Sequence, residues 1–253
     1  MFARTLARLA AHSAAALTLA GAAAAQASAQ VSVTYQGSGT GANAFGYYVG
    51  PEQGSVSYAV PGTRVVQTLG VQLFCVDFLD RITDGQTFTA NVSALTAGST
   101  LAATRHPNSL VQYREAAFLT DQFAAFANAS DRDTKFGAIQ GAIWRIFGTG
   151  STTLSDPSDA TGNSTVSYWT TQASNFANSS RYGTYDYSRF AVLADTRVSG
   201  TGAQRVGDGY AQEFLATLAP TTTTPEPGSV ALLGAGLLCL AGTAVRRRCA
   251  VSA

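Results

Sequence analysis

The segment Lys135-Phe136-Gly137-Ala138-Ile139-Gln140-Gly141-Ala142-Ile143-Trp144-Arg145-Ile146-Phe147 constrains the fold more than any other part of the chain. At about 100° per residue it forms a helix on which Phe136, Gln140, Ile143 and Phe147 share one narrow stripe. Trp144 lies at the edge of that stripe, and Arg145 points away from it. A carboxamide thus sits in the middle of the most apolar face in the sequence. That face has to pack against another element, and a buried amide without partners costs free energy, so Gln140 must be bonded to something. Two partners are open. One is a neighbouring backbone group, through an ordinary hydrogen bond. The other is a cysteine, through a covalent bond.

Both ends of the chain read as removable. Arg4 and Arg8 form a basic n-region, and residues 12–25 are small and apolar but too short to span a bilayer. Ala27-Ser28-Ala29 then fits a small-x-small cleavage site, with Ala25-Gln26-Ala27 as a rival, so residues 1–29 read as a signal peptide and Gln30 as the mature start. At the other end, Thr221 to Thr224 is a linker and Pro225-Glu226-Pro227 follows. Residues 228–245 carry no charge and are long enough for a short transmembrane helix of about 18 residues. Arg246, Arg247 and Arg248 then stop translocation and place the tail in the cytoplasm.

This tripartite order over residues 221–253 closely resembles the PEP-CTERM sorting signal of Gram-negative bacteria. The resemblance implies an exosortase-type processing protease as partner, cutting near Pro225-Glu226-Pro227. It also implies a transient stay in the inner membrane, then release or attachment at the cell surface, often alongside exopolysaccharide.

The ends also distort the charge balance. The whole chain carries a formal +1. Setting aside Arg4, Arg8 and Arg246 to Arg248 removes five of the 16 basic residues against 15 acidic ones, and the middle becomes acidic, about −4. No basic patch points to nucleic acid. The middle is rich in Gly, Ser, Thr, Tyr and Phe, as suits an exported β-rich domain. It keeps a single cysteine, because Cys239 falls in the apolar C-terminal stretch and Cys249 in the tail. Cys75 therefore has no disulfide partner within the mature chain, in an oxidising compartment where cysteines usually pair. It is a buried thiol, an intermolecular disulfide, a nucleophile, or bonded to something other than sulfur.

Along residues 30–220, Val31 to Gly37 alternates as a strand. Phe45 to Gly50 and Gly54 to Val60 read as two more, around a turn at Pro51-Glu52-Gln53-Gly54. Val71 to Phe78 is the strongest strand, with Val71, Leu73, Cys75 and Asp77 on one face. Thr87 to Leu95 is its expected neighbour, reached through a turn at Asp84-Gly85. Helical spacing then takes over. Leu110 to Ala127 reads as one helix, the Gln140 segment as a second ending at Gly148, and Val166, Trp169, Ala173 and Phe176 mark a third. Tyr185 to Ala194 and Tyr210 to Leu218 read as closing strands. The order predicts an α+β fold: a β-sandwich or barrel-like sheet with a small helical subdomain.

Phe74-Cys75 on the buried strand and Ile139-Gln140-Gly141-Ala142-Ile143-Trp144 on the helix together resemble the thioester domains of bacterial surface adhesins. In that family a cysteine after an aromatic residue or leucine bonds to the glutamine of a pattern apolar, Gln, any, any, apolar, apolar. The resemblance runs from about Val66 to Phe147. It implies an internal Cys75–Gln140 thioester, formed by sulfur attack on the carboxamide carbon with loss of ammonia. An external amine on a surface or matrix ligand would then attack the glutamine carbonyl and be joined by an amide. That is single-use capture, with no enzymatic turnover, no cofactor and no metal. Gly141 would allow close backbone approach beside Gln140. Lys135 is the only lysine in the chain, which limits self-reaction with a thioester, although arginine-favouring codon usage gives the same pattern.

Other readings are weaker. Cys75 and His106, the only histidine left after signal removal, could form a protease dyad, but no specific protease motif surrounds Cys75. Asp131 and Asp133, or Asp77, Asp80 and Asp84, could bind calcium, but neither set matches an EF-hand loop. The main alternative is a passive exopolysaccharide or biofilm matrix protein in which Cys75 is an inert thiol.

Overall fold

A computed structural model describes residues 30–60, 63–78, 80–99, 101–148, 161–197 and 211–218. Both terminal segments, and with them the expected signal peptide and sorting helix, lie outside the described residues. Among the described residues no helix is long and apolar enough to cross a membrane.

Six strands close into an antiparallel barrel: β1 (Gln30–Ser38), β4 (Glu52–Ala59), β5 (Val66–Cys75), β8 (Phe214–Leu218), β7 (Phe190–Asp195) and β6 (Thr87–Ala94), in that spatial order, with β6 returning to β1. A two-stranded hairpin, β2 (Asn43–Ala44) and β3 (Tyr47–Tyr48), stands apart from it. The expected α+β class holds, and the sheet is the barrel form. Alternation drives it. Val31, Val33 and Tyr35 of β1 are buried while Gln30, Ser32 and Gln36 face out.

β5 behaves differently along its length. Its first residues are exposed, and Val71, Leu73, Phe74 and Cys75 are all buried. Val71, Leu73 and Cys75 share one face, and Phe74 on the other stacks on Phe123, centroids 5.7 Å apart. The strand thus ends where helices cover its outer face, and both faces become apolar there.

Those helices are α1 (Leu110–Thr120), α2 (Phe123–Phe126), α3 (Arg132–Ile146), α4 (Val166–Ala177) and α5 (Arg181–Thr184). The helix expected over 110–127 is broken in two. Thr120 Oγ1 donates to the Ala117 carbonyl at 2.8 Å and Gln122 Nε2 to the Phe118 carbonyl at 3.0 Å, so side chains compete for the backbone at the break. α4 follows the expected spacing, with Val166, Trp169, Ala173 and Phe176 buried and Thr165 accepting from the Tyr168 N–H as cap. α3 is not one-sided. Every residue from Phe136 to Trp144 is buried, because the helix is packed by α4, α1, α2 and the β2–β3 hairpin around its circumference.

Two glycines explain how α3 can be covered so closely. A Cβ on Gly137 would lie 2.4 Å from the Ala44 Cβ, and one on Gly141 would lie 2.7 Å from Val166 Cγ2. Gly141 therefore admits α4, and the close approach expected beside Gln140 is of the Val166 side chain.

Several strand boundaries move. The strand expected over 45–50 is replaced by the β2–β3 hairpin, in which Phe45 (φ 58°) and Gly46 (φ 81°) reverse the chain with positive φ at both turn positions. Glu52 to Gly54 of the turn expected at 51–54 instead open β4, which pairs Glu52 with Leu73 of β5. β5 stops at Cys75, short of the expected Phe78. β7 begins at Phe190, after a 3₁₀ turn at Tyr187–Arg189, and β8 begins at Phe214.

Candidate functional site

Cys75, the last residue of β5, and Gln140, in the third turn of α3, are 4% and 1% exposed. They are 65 residues apart in sequence and meet in the fold: Gln140 Nε2 donates to the backbone carbonyl of Cys75 at 2.7 Å. Gln140 thus makes a hydrogen bond to a backbone group, the ordinary option for a buried amide, and makes it to Cys75. The Cys75 thiol donates to the Asp77 carbonyl at 2.9 Å, and the Trp144 side chain also interacts with the sulfur.

A cavity of about 670 Å³ opens beside Cys75. Trp144, Phe78 and Tyr47 stand over it as an aromatic group, with Phe78 4.8 Å from Trp144 and 4.9 Å from Tyr47 between centroids. Cys75 lines the cavity but is itself only 4% exposed. Burial, then the negative charges of Glu52 and Asp77, push the Cys75 thiol well above its ordinary value, against an opposing contribution from Trp144. Cys75 is held as a thiol, not a thiolate.

Glu52 lines the same cavity and is 6% exposed. Burial raises its carboxyl to about 8, with a hydrogen bond from Tyr35 opposing and the charge of Asp84 adding. Sequence reasoning missed it, because Pro51 and Gly54 around it read as a turn. Only the pairing of β4 with β5 reveals that it faces inward.

A second buried group locks the segment after Cys75. Arg105, 2% exposed, sets Nε 3.1 Å from Asp77 Oδ2 and Nη2 2.6 Å from Asp80 Oδ2. Its backbone N–H donates to Glu213 Oε2 at 2.7 Å, and the Tyr113 hydroxyl donates to Glu213 Oε1. Gln212 Nε2 donates to the Asp77 and Asp80 carbonyls at 3.3 and 2.5 Å. Asp77 and Asp80, weighed as calcium ligands, are engaged with a guanidinium. Asp131 pairs with Lys135 at 3.1 Å and Asp133 with Arg132 at 2.8 Å. Among the described residues no group of three or more His, Cys, Asp or Glu is arranged to hold a metal. His106 packs on Phe147 and Tyr113, at 4.9 and 6.4 Å between centroids, and burial lowers its pKa. Lys135 Nζ is bonded to Asn163 Oδ1 at 2.5 Å and Ser164 Oγ at 2.9 Å.

Glu213 gives a pH prediction. Burial lifts its carboxyl from 4.5 to about 7, against the Arg105 N–H and the Tyr113 hydroxyl. The folded chain therefore holds this proton more tightly than the unfolded chain does. The resulting stability is fully present below about pH 4.5 and is lost as pH rises through 7. Glu52 acts with the same sign. Thermal melts between pH 5 and 9 should show Tm falling with pH, and Glu213→Gln should flatten the slope without abolishing it. An unchanged slope in the variant would contradict the assignment.

Residues 223–248 match the PEP-CTERM protein-sorting motif. No curated protein and no solved structure matches the chain. The motif marks an exported protein, recognised by exosortase and sorted to the cell surface or extracellular space. The domain that precedes it is a helix-covered antiparallel barrel.

Proposed function

We propose that the barrel domain forms an internal thioester between Cys75 Sγ and Gln140 Cδ and uses it once, outside the cell, to capture a primary amine on a surface or matrix ligand. The observation that carries this reading is the seating of the Gln140 carboxamide on the Cys75 carbonyl at 2.7 Å, with both residues buried. Thioester formation adds sulfur to the carboxamide carbon and releases ammonia. Capture adds an amine nitrogen to the same carbon and releases the thiol. Both steps gain from fixed contact and from exclusion of competing water. The burial of both residues supplies the exclusion, and the cavity beside Cys75 supplies an approach for the amine. The chain's one lysine is held by Asn163, Ser164 and Asp131, which leaves it poorly placed to attack the bond.

The sorting motif sets the place. Exosortase-type cleavage near Pro225-Glu226-Pro227 would release the domain, or hand it to a surface carrier, after a transient membrane stay. Single-use covalent adhesion then fits an exported domain. A second reading, a passive matrix protein, draws on the same contact: the Gln140 amide is already satisfied by a normal hydrogen bond. Incubation with a biotinylated primary amine separates the two. Adhesion chemistry predicts one label per chain, mapped to residue 140, and a passive protein predicts none.

A further inference from the structure

Resting on the thioester reading, we infer that Glu52 is the acid–base group of the Cys75–Gln140 site, shuttling the proton in both bond formation and amine capture.

Geometry places it there. Glu52 pairs with Leu73, and Leu73 shares its face of β5 with Cys75 two residues on. Glu52 is thus a diagonal cross-strand neighbour of Cys75, about 7–8 Å away on the same face. A glutamate side chain spans much of that distance, and the Glu52 charge acts on the Cys75 thiol. Both residues line the same cavity. Glu52 is buried, yet among the described residues its Oε2 has no hydrogen-bond partner. A buried, unsatisfied carboxyl oxygen is costly and calls for an explanation. Transfer of a proton to and from the neighbouring sulfur provides one.

The chemistry needs such a group. A thiol held in its protonated form cannot attack a carboxamide until its proton is taken. In formation, Glu52 carboxylate takes the Cys75 S–H proton, sulfur adds to Gln140 Cδ, the C–N bond breaks, and Glu52 returns the proton to the departing NH₂ as ammonia. In capture, the carboxylate takes a proton from the attacking amine, the C–S bond breaks, and Glu52 delivers that proton to the Cys75 sulfur. Glu52 ends each step as it began. Its carboxyl, raised to about 8 by burial, exchanges protons near neutral pH, as such a group must. The titratable or charged groups around it are Tyr35 from β1, Cys75 from β5, Asp84 before β6, Asp80 and Arg81 after β5, and Tyr47 and Tyr48 of the hairpin.

The test follows methylamine uptake by the full-length chain against pH, with intact mass as the readout. Glu52→Gln should slow uptake by about 10²-fold or more and remove the inflection that wild type shows. A folded Glu52→Gln chain that never forms the bond, with Cys75 open to alkylation, supports the same role. Tyr35→Phe should leave the bond intact and move the inflection to higher pH, because the Tyr35 hydrogen bond favours the carboxylate. A folded Glu52→Gln chain with the wild-type rate and pH profile overturns the inference. Should Glu52→Gln not fold, Tyr35→Phe decides, and an unmoved inflection overturns it. A wild-type chain that takes up no methylamine removes the thioester reading and this inference together, and is recognisable because the parent itself is silent.

Discussion

A Cys75→Ala chain should take up no labelled primary amine at residue 140, where the parent chain takes up one. The reaction depends on the electrophile. A glutamine amide is inert to amines, and only its conversion to a thioester makes the carbonyl reactive, so loss of sulfur removes the reaction completely. The fold should survive. Cys75 is a small buried side chain, and losing its sulfur costs about 1–2 kcal/mol of transfer and cavity energy. Gln140→Ala should be equally silent but less stable, because it deletes the donor to the Cys75 carbonyl and leaves that carbonyl buried, at about 1–3 kcal/mol. Peptide mapping after exposure to a biotinylated amine reads both variants. Label at residue 140 in Cys75→Ala would contradict the account.

Arg105→Met should unfold the domain at markedly lower temperature, with a loss of about 3–5 kcal/mol. The guanidinium is buried between Asp77 and Asp80, and its removal strips the compensating positive charge from two carboxylates that are 1% and 3% exposed. That loss is a large part of the about 5–15 kcal/mol that holds a typical domain. The Asp77 backbone carbonyl also accepts from the Cys75 thiol, so the same change should loosen the segment beside the sulfur. Denaturant midpoints with and without Arg105 measure the effect. A shift under about 1 kcal/mol would show that the cluster is no better than a surface pair.

Much of this was legible in the sequence because the signals were local. Val31 to Gly37 alternates with period two, and Val166 to Phe176 repeats with helical spacing, so β1 and α4 fall where expected. The Cys75–Gln140 proximity was legible for a different reason: the resemblance of Phe74-Cys75 and Ile139-Gln140-x-x-Ile143-Trp144 to the paired motifs of thioester domains implied it, and the lone mature cysteine and the amide on an apolar stripe agreed with it. Apart from one helix break, the misses are non-local. The break between α1 and α2 is made by Thr120 and Gln122 turning back on the backbone, side chains that otherwise suit a helix. Burial all round α3 depends on Gly137 and Gly141 admitting Ala44 and Val166, which no single-helix pattern encodes. Glu52 faces inward because of its register against Leu73, and Arg105 gathers Asp77 and Asp80 from an earlier segment and Glu213 from 108 residues further along the chain. Closure of the sheet into a barrel likewise rests on β6 returning to β1, a pairing set by the whole topology.

The most direct test of the central claim is the intact mass of the purified chain without reductant. A Cys75–Gln140 thioester predicts a mass about 17 Da below that encoded, from the lost ammonia, and recovery of the whole mass of methylamine on treatment. Hydrolysis before the assay is recognisable, because it leaves Glu at position 140, about 1 Da heavier than the encoded Gln. An unshifted mass, with Cys75 alkylated after unfolding and Gln140 intact, would contradict the thioester and leave the passive matrix protein in its place.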